Sequence, residues 1–444
     1  MEPQAVKDQV QQMQAEARER RNRADARLIV TMRGLRSFAY GLLAVLLGVV
    51  LANAGFAPVA IGILITVSLI GDFVGTYVIG LVADHFGRRR TLFILALLMA
   101  GTGAVFGLTN VYALLLLAAF FGTLGTSASE TAPFLPIEQA ILPETCPPEQ
   151  RTALFARYNL VASFAGALGA LAAGLPDLFA RAGLPEALGI RLFFGAYAAL
   201  ALLVAGLSMR LSSHVEVPQH AGKEAGRLWH RLLPPLGRSR GMVLRLTGLF
   251  SVDALAGGLV VQSLMVLFFH LRFGVPLTLL AVLFFGANAL SALSFLAAAP
   301  LARRFGLLNT MVFTHLPSNV LLILVAFAPT FPLAATLLLA RQVLSQMDVP
   351  TRQAYTMAMV APEERTATAS VTSLARSVGS STSPVFSGLL LQGSLLVFGI
   401  PFILAGSLKA AYDCSLWMLF RHVRLEEVDR QQQSTHVQSN ADDG

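Results

Sequence analysis

Residues 80–90 read GLVADHFGRRR, an apolar segment that runs into a glycine and then three arginines. Gly80 and Gly87 permit a tight turn and a close approach of helices. Asp84 stands one helical turn before Arg88, and Arg88, Arg89 and Arg90 hold that end of the segment at the basic side of a bilayer. On both sides lie stretches, 58–83 and 91–110, with the length and apolarity needed to cross a hydrocarbon core of about 30 Å.

The pattern continues over nearly the whole chain. Of 444 residues, 55% are hydrophobic and 13% charged, against about 25% charged in a soluble domain. Apolar runs bounded by Gly, Pro or charge predict spans near 30–56, 58–83, 91–110, 111–137, 152–175 and 189–210. A second six fall near 243–271, 275–301, 307–328, 331–358, 366–391 and 396–420. The reading is an all-α membrane fold of twelve transmembrane helices. Its parts are an N-terminal tail (1–28), a six-helix bundle (29–210), a polar central loop (211–242), a second bundle (243–420) and a C-terminal tail (421–444). Residues 1–28 are polar, and no small-residue cleavage site follows the first apolar run, which argues against a cleaved signal peptide.

A net charge of +8 in a soluble chain points to nucleic acid. Here the basic residues gather in particular loops: the N-terminal tail, 88–90, the central segment, 303–304 and 421–424. By the positive-inside rule those loops and both termini are cytoplasmic. The loops at 109–111, 329–332 and 392–395 carry no Lys or Arg, and 176–188, with Asp177, Arg181 and Glu186, shows no strong bias. Of the 33 basic residues only Lys7, Lys223 and Lys409 are lysine, a bias that fits a GC-rich bacterial genome and hence an inner membrane. Cys146 and Cys414 suit neither a disulfide nor a metal. The histidines are scattered and no metal-spaced or nucleotide-cradling motif occurs, so no enzyme, cofactor or metal is expected.

The two halves repeat. PIEQA (136–140) aligns with PTRQA (350–354), and PEQRTA (148–153) with PEERTA (362–367), both at an offset of 214 residues. In that register Glu138 meets Arg352 and Gly174 meets Gly388. GLVADHFG (80–87) matches APLARRFG (299–306) at an offset of 219. Parallel six-helix repeats of this kind are found in alternating-access carriers, although a non-transporting receptor or scaffold also accommodates them.

GLVADHFGRRR also resembles the loop signature of the major facilitator superfamily, with Gly80, Asp84, Gly87, Arg88 and Arg89 in the pattern's positions. With the helix count and repeat, the resemblance covers about 30–420. It implies two six-helix bundles around a central cavity, and it implies that Asp84 acts across the halves against the N-terminus of a helix starting near Thr366. The purely physical alternative is a topological anchor. Phe121 stands before GTLG (122–125) where many members carry an Arg, and GALGALAAGLP (166–176) lacks the antiporter Gly-Pro.

Ionisable groups within hydrocarbon cost about 2.5–3.5 kcal/mol each even on the lenient insertion scale, so each needs a cavity, a partner or a task. They are Asp72, Glu130, Asp253, Arg341, Asp348, Arg352, Arg376, Lys409 and Asp413. Arg341, Asp348 and Arg352, at i, i+7 and i+11, share one helix face. Asp348 and Arg352 either pair with each other or look into the cavity, while Arg341 either holds an anionic substrate group or pairs with Asp253. Burial raises a carboxyl pKa and a nearby cation lowers it. Asp253 and Glu130 therefore lead as proton sites, with Asp72 third because the glycines of GDFVG (71–75) suggest helix packing. Glu138 and Arg352 can clamp an inner gate, and Lys409 with Asp413 forms a structural pair on a helix that the resemblance puts outside the cavity. The functional expectation is a monomeric, proton-coupled carrier of a small-molecule substrate in the lipid bilayer. An apolar cavity with few charges would favour efflux; the alternative is uptake of a metabolite.

Overall fold

The computed structural model describes residues 3–126, 133–147, 150–216, 240–360, 364–393 and 398–422, and these are helical apart from short connections. The first half comprises α1 (Pro3–Asn53), α2 (Pro58–Phe86), α3 (Arg88–Leu108), α4 (Tyr112–Phe121), α5 (Leu135–Ile141), α6 (Arg151–Ala172), α7 (Leu175–Arg181) and α8 (Glu186–Met209). The second comprises α9 (Arg240–Leu259), α10 (Gln262–Phe273), α11 (Leu277–Phe305), α12 (Leu307–Phe327), α13 (Phe331–Leu344), α14 (Asp348–Ala358), α15 (Arg365–Thr382), α16 (Pro384–Leu391) and α17 (Ile400–Phe420).

Among the described residues eight stretches are long and apolar enough to cross a membrane. The remaining spans of the twelve-helix fold are the interrupted pairs α4/α5, α13/α14 and α15/α16, together with α17, which carries Lys409 and Asp413. The span expected at 243–271 is likewise broken between α9 and α10. Apolarity alone marked these as continuous helices. Gly122, Gly125 (φ +57°), Pro350 and Pro384 interrupt them, because Gly releases the backbone and Pro removes a donor. Irregular backbone survives at membrane depth only where it is buried in protein or lines a cavity, and Gly125, Thr126, Val261, Ser345 and Gln346 do line one.

α1 begins 27 residues before the expected span, extending through the basic tail. Its Ala, Arg, Glu and Gln are strong helix formers, Glu19 pairs with Arg23 one turn on, and Asp25 accepts hydrogen bonds from Ser212 N (2.9 Å) and Oγ (2.5 Å) at the end of α8.

The repeat is visible in the packing. Gly87 (φ +102°) and Gly306 (φ +83°), equivalent in the sequence alignment, each form a one-residue turn between two spans; a φ in this range favours glycine. In the first half a Cβ on Gly41 of α1 would fall 1.9 Å from the Gly166 carbonyl oxygen of α6, and in the second one on Gly258 of α9 would fall 2.2 Å from that of Ser380 on α15. Small residues let both helix pairs touch backbone to backbone.

Contacts between the halves collect at the end remote from the termini. Gly62 of α2 meets Pro384 and Gly388 of α16, Gly174 meets Thr278 and Ala281 of α11, and Gly48 of α1 meets Ser263 of α10. Asp177 accepts bonds from Thr278 N (3.1 Å) and Oγ1 (3.0 Å), Ser263 donates to the carbonyls of Ala44 (2.9 Å) and Thr126 (3.1 Å), and Val385 N donates to Thr66 (3.1 Å). The repeat-related glycines Gly174 and Gly388 thus both serve this seal.

Candidate functional site

A cavity of about 580 Å³ lies between the halves. The first half contributes mostly apolar wall, with Leu69, Leu135 and one carboxyl, Asp72. The second contributes charge: Asp253 from α9, Arg341 from α13, Asp348 and Arg352 from α14, Arg376 from α15 and Lys409 from α17, with His315 of α12 at its edge. The expected apolar cavity with few charges is not what the molecule has, because four broken or polar helices deliver their ionisable groups to one wall.

Asp253 is the hub of that wall. Lys409 Nζ donates to its Oδ1 at 2.5 Å, while Arg376 Nη1 (3.0 Å) and Arg352 Nη1 (3.2 Å) both donate to Oδ2. Arg352 also donates to Asp348 Oδ2 at 2.9 Å, so the expected i, i+4 pair forms. Both carboxylates are over 95% buried. Ion pairs so enclosed persist because every charge has a partner; removing one strands the others.

Several sequence expectations are corrected here. Arg341 does not bond Asp253, whose oxygens are taken by three other cations; its Nη1 meets only the Gln342 side chain at 3.2 Å. Lys409 does not pair with Asp413, because its long stem reaches across to α9. Asp413 instead accepts Asn319 Nδ2 (2.8 Å) and faces His315 Nδ1 (2.9 Å), so α17 brings Lys409 into the cavity rather than lying wholly outside it. Glu138 and Arg352 do not clamp each other. Glu138 is held inside its own half by both Nη atoms of Arg36 (2.6 and 2.8 Å) and by the Tyr158 hydroxyl (2.7 Å), and Arg36 lies 4.1 Å over the Phe134 ring.

The 80–90 loop sits apart from the cavity. Arg88 Nε donates to Asp84 Oδ1 (2.9 Å) and its Nη1 to Glu144 (3.1 Å); Glu216 accepts the backbone N–H of Arg88 (2.6 Å) and Arg89 (3.2 Å). A carboxylate on the first N–H groups of α3 complements the positive end of its dipole. Arg89 Nη2 donates to the Met209 carbonyl at 2.6 Å. Asp84 makes no hydrogen bond or ion pair to the other half among the described residues, and a Cβ on Gly80 would meet nothing within 4 Å; the implied cross-half contact and close approach are not made among the described residues.

Asp72 is the one ionisable group that the described part of its wall presents to the cavity. Its flanking glycines do serve packing, since a Cβ on Gly71 would lie 2.0 Å from the Phe120 carbonyl oxygen and one on Gly75 2.9 Å from Pro133. Asp72 faces the cavity, 95% buried, and among the described residues no cation or hydrogen-bond donor reaches it. Glu130 lies outside the described residues. Sequence reasoning passed over Arg36, His315 and Asn319, although a polar side chain inside an apolar run was the available signal for each.

A model of the Major Facilitator Superfamily matches residues 29–345. The chain is 27% identical over 422 residues to the uncharacterized membrane protein YJR124C of Saccharomyces cerevisiae, covering 89% of this chain and 94% of that one. Its fold is similar to that of the nucleoside transporter NupG in a crystallised mutant form (TM-score 0.72, 13% identity, 89% and 100% of the two chains). It is also similar to the xylose transporter XylE of E. coli in a partially occluded inward-open conformation (0.65, 14%, 89% and 98%). A bacterial homolog of the human lysosomal transporter Spinster, inward-facing and occupied, gives 0.67 at 15% identity over 90% and 97%. Twelve spans in two repeated bundles, a charged cavity between them and a family match over most of the chain together place this multi-pass membrane protein in the Major Facilitator Superfamily of transporters.

Proposed function

We propose that this protein is a monomeric, proton-coupled secondary active transporter that moves a small organic molecule across a bacterial inner membrane by alternating access, with both termini cytoplasmic. The seal at the end remote from the termini then makes this the inward-facing state. XylE and the Spinster homolog, crystallised inward-open and inward-facing, are in keeping with that reading. The ground for favouring export, an apolar cavity, falls away with the charged wall.

The observation that carries proton coupling is the contrast between two carboxyls on one cavity. Asp253 is neutralised by three cations, whereas Asp72 has none among the described residues. Burial disfavours a bare carboxylate and adjacent cations favour it, so binding a proton is a feasible step at Asp72 and an obstructed one at Asp253. This puts Asp72 ahead of Asp253, the reverse of their sequence order, because the sequence did not assign Arg352, Arg376 and Lys409 to Asp253. The test is reconstitution into liposomes loaded with a pH-sensitive dye. Wild type should accumulate substrate against its gradient when a pH gradient is imposed, while Asp72→Asn should retain exchange of substrate for substrate and lose the accumulation. Undiminished pH-driven accumulation by Asp72→Asn sinks the assignment.

A further inference from the structure

Resting on the carrier reading, we infer that the transported molecule is an organic anion, bearing a carboxylate or an equivalent oxyanion that docks on Arg341. Arg341 lines the cavity 91% buried, and no carboxylate lies within ion-pair distance of it among the described residues. Its Nε has no hydrogen-bond partner and its Nη1 reaches only the neutral side chain of Gln342. Every other cation on that wall is engaged, with Arg352, Arg376 and Lys409 on Asp253 and Arg352 also on Asp348. Arg341 occupies the last turn of α13, where the helix dipole offsets at most about half a unit charge. A buried guanidinium so placed is costly unless something in the cavity completes it, and its planar fork matches a carboxylate or phosphate.

The wall as a whole agrees, since four cations line it against two carboxylates. Asp72, opposite, adds a consequence. An anion arriving on Arg341 places two like charges in one low-dielectric space, so a proton on Asp72 makes anion and proton favourable company, and the cargo's own charge becomes the link between binding and protonation. A neutral sugar or nucleoside would leave Arg341 with no anion bonded to it among the described residues.

The experiment uses purified full-length protein in detergent and matched pairs of probes: benzoate with benzamide, nicotinate with nicotinamide, lactate with lactamide, and glucuronate with glucose. Thermal unfolding is recorded for each at millimolar concentration, since a ligand that binds the folded state raises Tm. At least one carboxylate should raise Tm while its neutral partner does not. Arg341→Gln should weaken that carboxylate by about 10- to 100-fold, the usual worth of a charge-assisted bond, and Arg341→Lys should fall between. Without ligand, Arg341→Gln should unfold no earlier than wild type, because it removes a buried charge that Asp348 and Asp253 favour only through space and that no carboxylate bonds among the described residues; a merely structural arginine would show the reverse. Neutral partners binding as well as carboxylates, binding unaffected in Arg341→Gln, or no carboxylate binding at all each overturn the inference. Counterflow in liposomes separates the two readings. Exchange of a neutral compound refutes the anion and keeps the carrier, whereas a carboxylate that binds through Arg341 and never exchanges refutes the carrier and keeps the anion site.

Discussion

Gly388→Ala should hold the protein open at the end that is sealed here. A Cβ on Gly388 would stand 2.5 Å from the Pro58 carbonyl oxygen and 3.0 Å from the Gly62 Cα, and one on Gly62 would stand 2.7 Å from the Pro384 carbonyl oxygen. These are backbone atoms of two facing helices, so no side chain can swing aside and the helices must part. Overpacking of this kind costs about 1–3 kcal/mol. The cost falls on the sealed state alone, because separating α2 from α16 removes the clash, and the ratio of sealed to open molecules should fall by about 5- to 150-fold. The readout is the distance between nitroxide labels on cysteines introduced at Asn110 and Thr330, exposed on the loops of opposite halves at that end, after replacing Cys146 and Cys414 by Ser. Pulsed dipolar spectroscopy should show a longer population appearing in Gly388→Ala. Gly101→Ala is the control: it is also a glycine inside a helix, but its added Cβ meets nothing within 4 Å, so it should leave the distances as in wild type and stabilise slightly through helix propensity. An unchanged distribution in Gly388→Ala would refute the claim that this glycine contact is the seal.

The opposite end offers the mirror experiment. Gly80 lies eighteen residues after Gly62, five turns along α2 and so on the same face about 27 Å away, with open space beside it. Gly80→Val should leave the sealed population intact or enlarge it and slow transport, read from the same labels and from turnover; a shift toward the open population would contradict it. Asp253→Asn should destabilise the protein by about 3–5 kcal/mol, since it strands Lys409, Arg352 and Arg376, and the double variant Asp253→Asn with Lys409→Met should recover part of the lost Tm; no recovery would argue against the hub. Glu138→Gln should lower Tm by breaking the fork to Arg36 while leaving pH-driven accumulation per folded molecule unchanged; a selective loss of proton coupling would show that this pair is more than structural.

What the sequence made legible was whatever depends on period and count. Span number follows from apolar length, the parallel halves from matching peptides such as PEQRTA and PEERTA, and the Gly87 and Gly306 turns from two aligned loops. Arg341, Asp348 and Arg352 all line the cavity as their spacing suggested, although the span breaks between α13 and α14 and they share no continuous helix face. Helix breaks were less legible, because an apolar run looks the same whether or not Gly125 or Pro384 interrupts it. Partner choice was least legible. Lys409 and Asp413 stand four residues apart and looked like a pair, yet each is taken by a residue 98 or more positions away. Local spacing proposes a partner, and the depth at which neighbouring helices present their own charges decides whether it is used.

That rule also explains the fate of the repeat-related charges Glu138 and Arg352. If each belonged to a gate between halves, its carboxylate or guanidinium would have to be free to cross the interface, but both are satisfied within their own bundle. On the first side Arg36 of α1 meets Glu138 of α5; on the second Asp253 of α9 meets Arg352 of α14. The same pair of repeat-related spans is bridged with the signs exchanged, so each bundle carries its own internal brace and can move as a body without breaking an ion pair. The first brace is closed, a bidentate fork capped by Tyr158. The second is enlarged by Lys409, Arg376 and Asp348 and opens onto the cavity beside Arg341, whose Nε has no hydrogen-bond partner among the described residues. Duplication supplied one scaffold twice, and on the function proposed above the surplus of cations on the second copy gives that half the selection of cargo, while the first contributes one carboxyl, Asp72, to be charged or neutral in step with it.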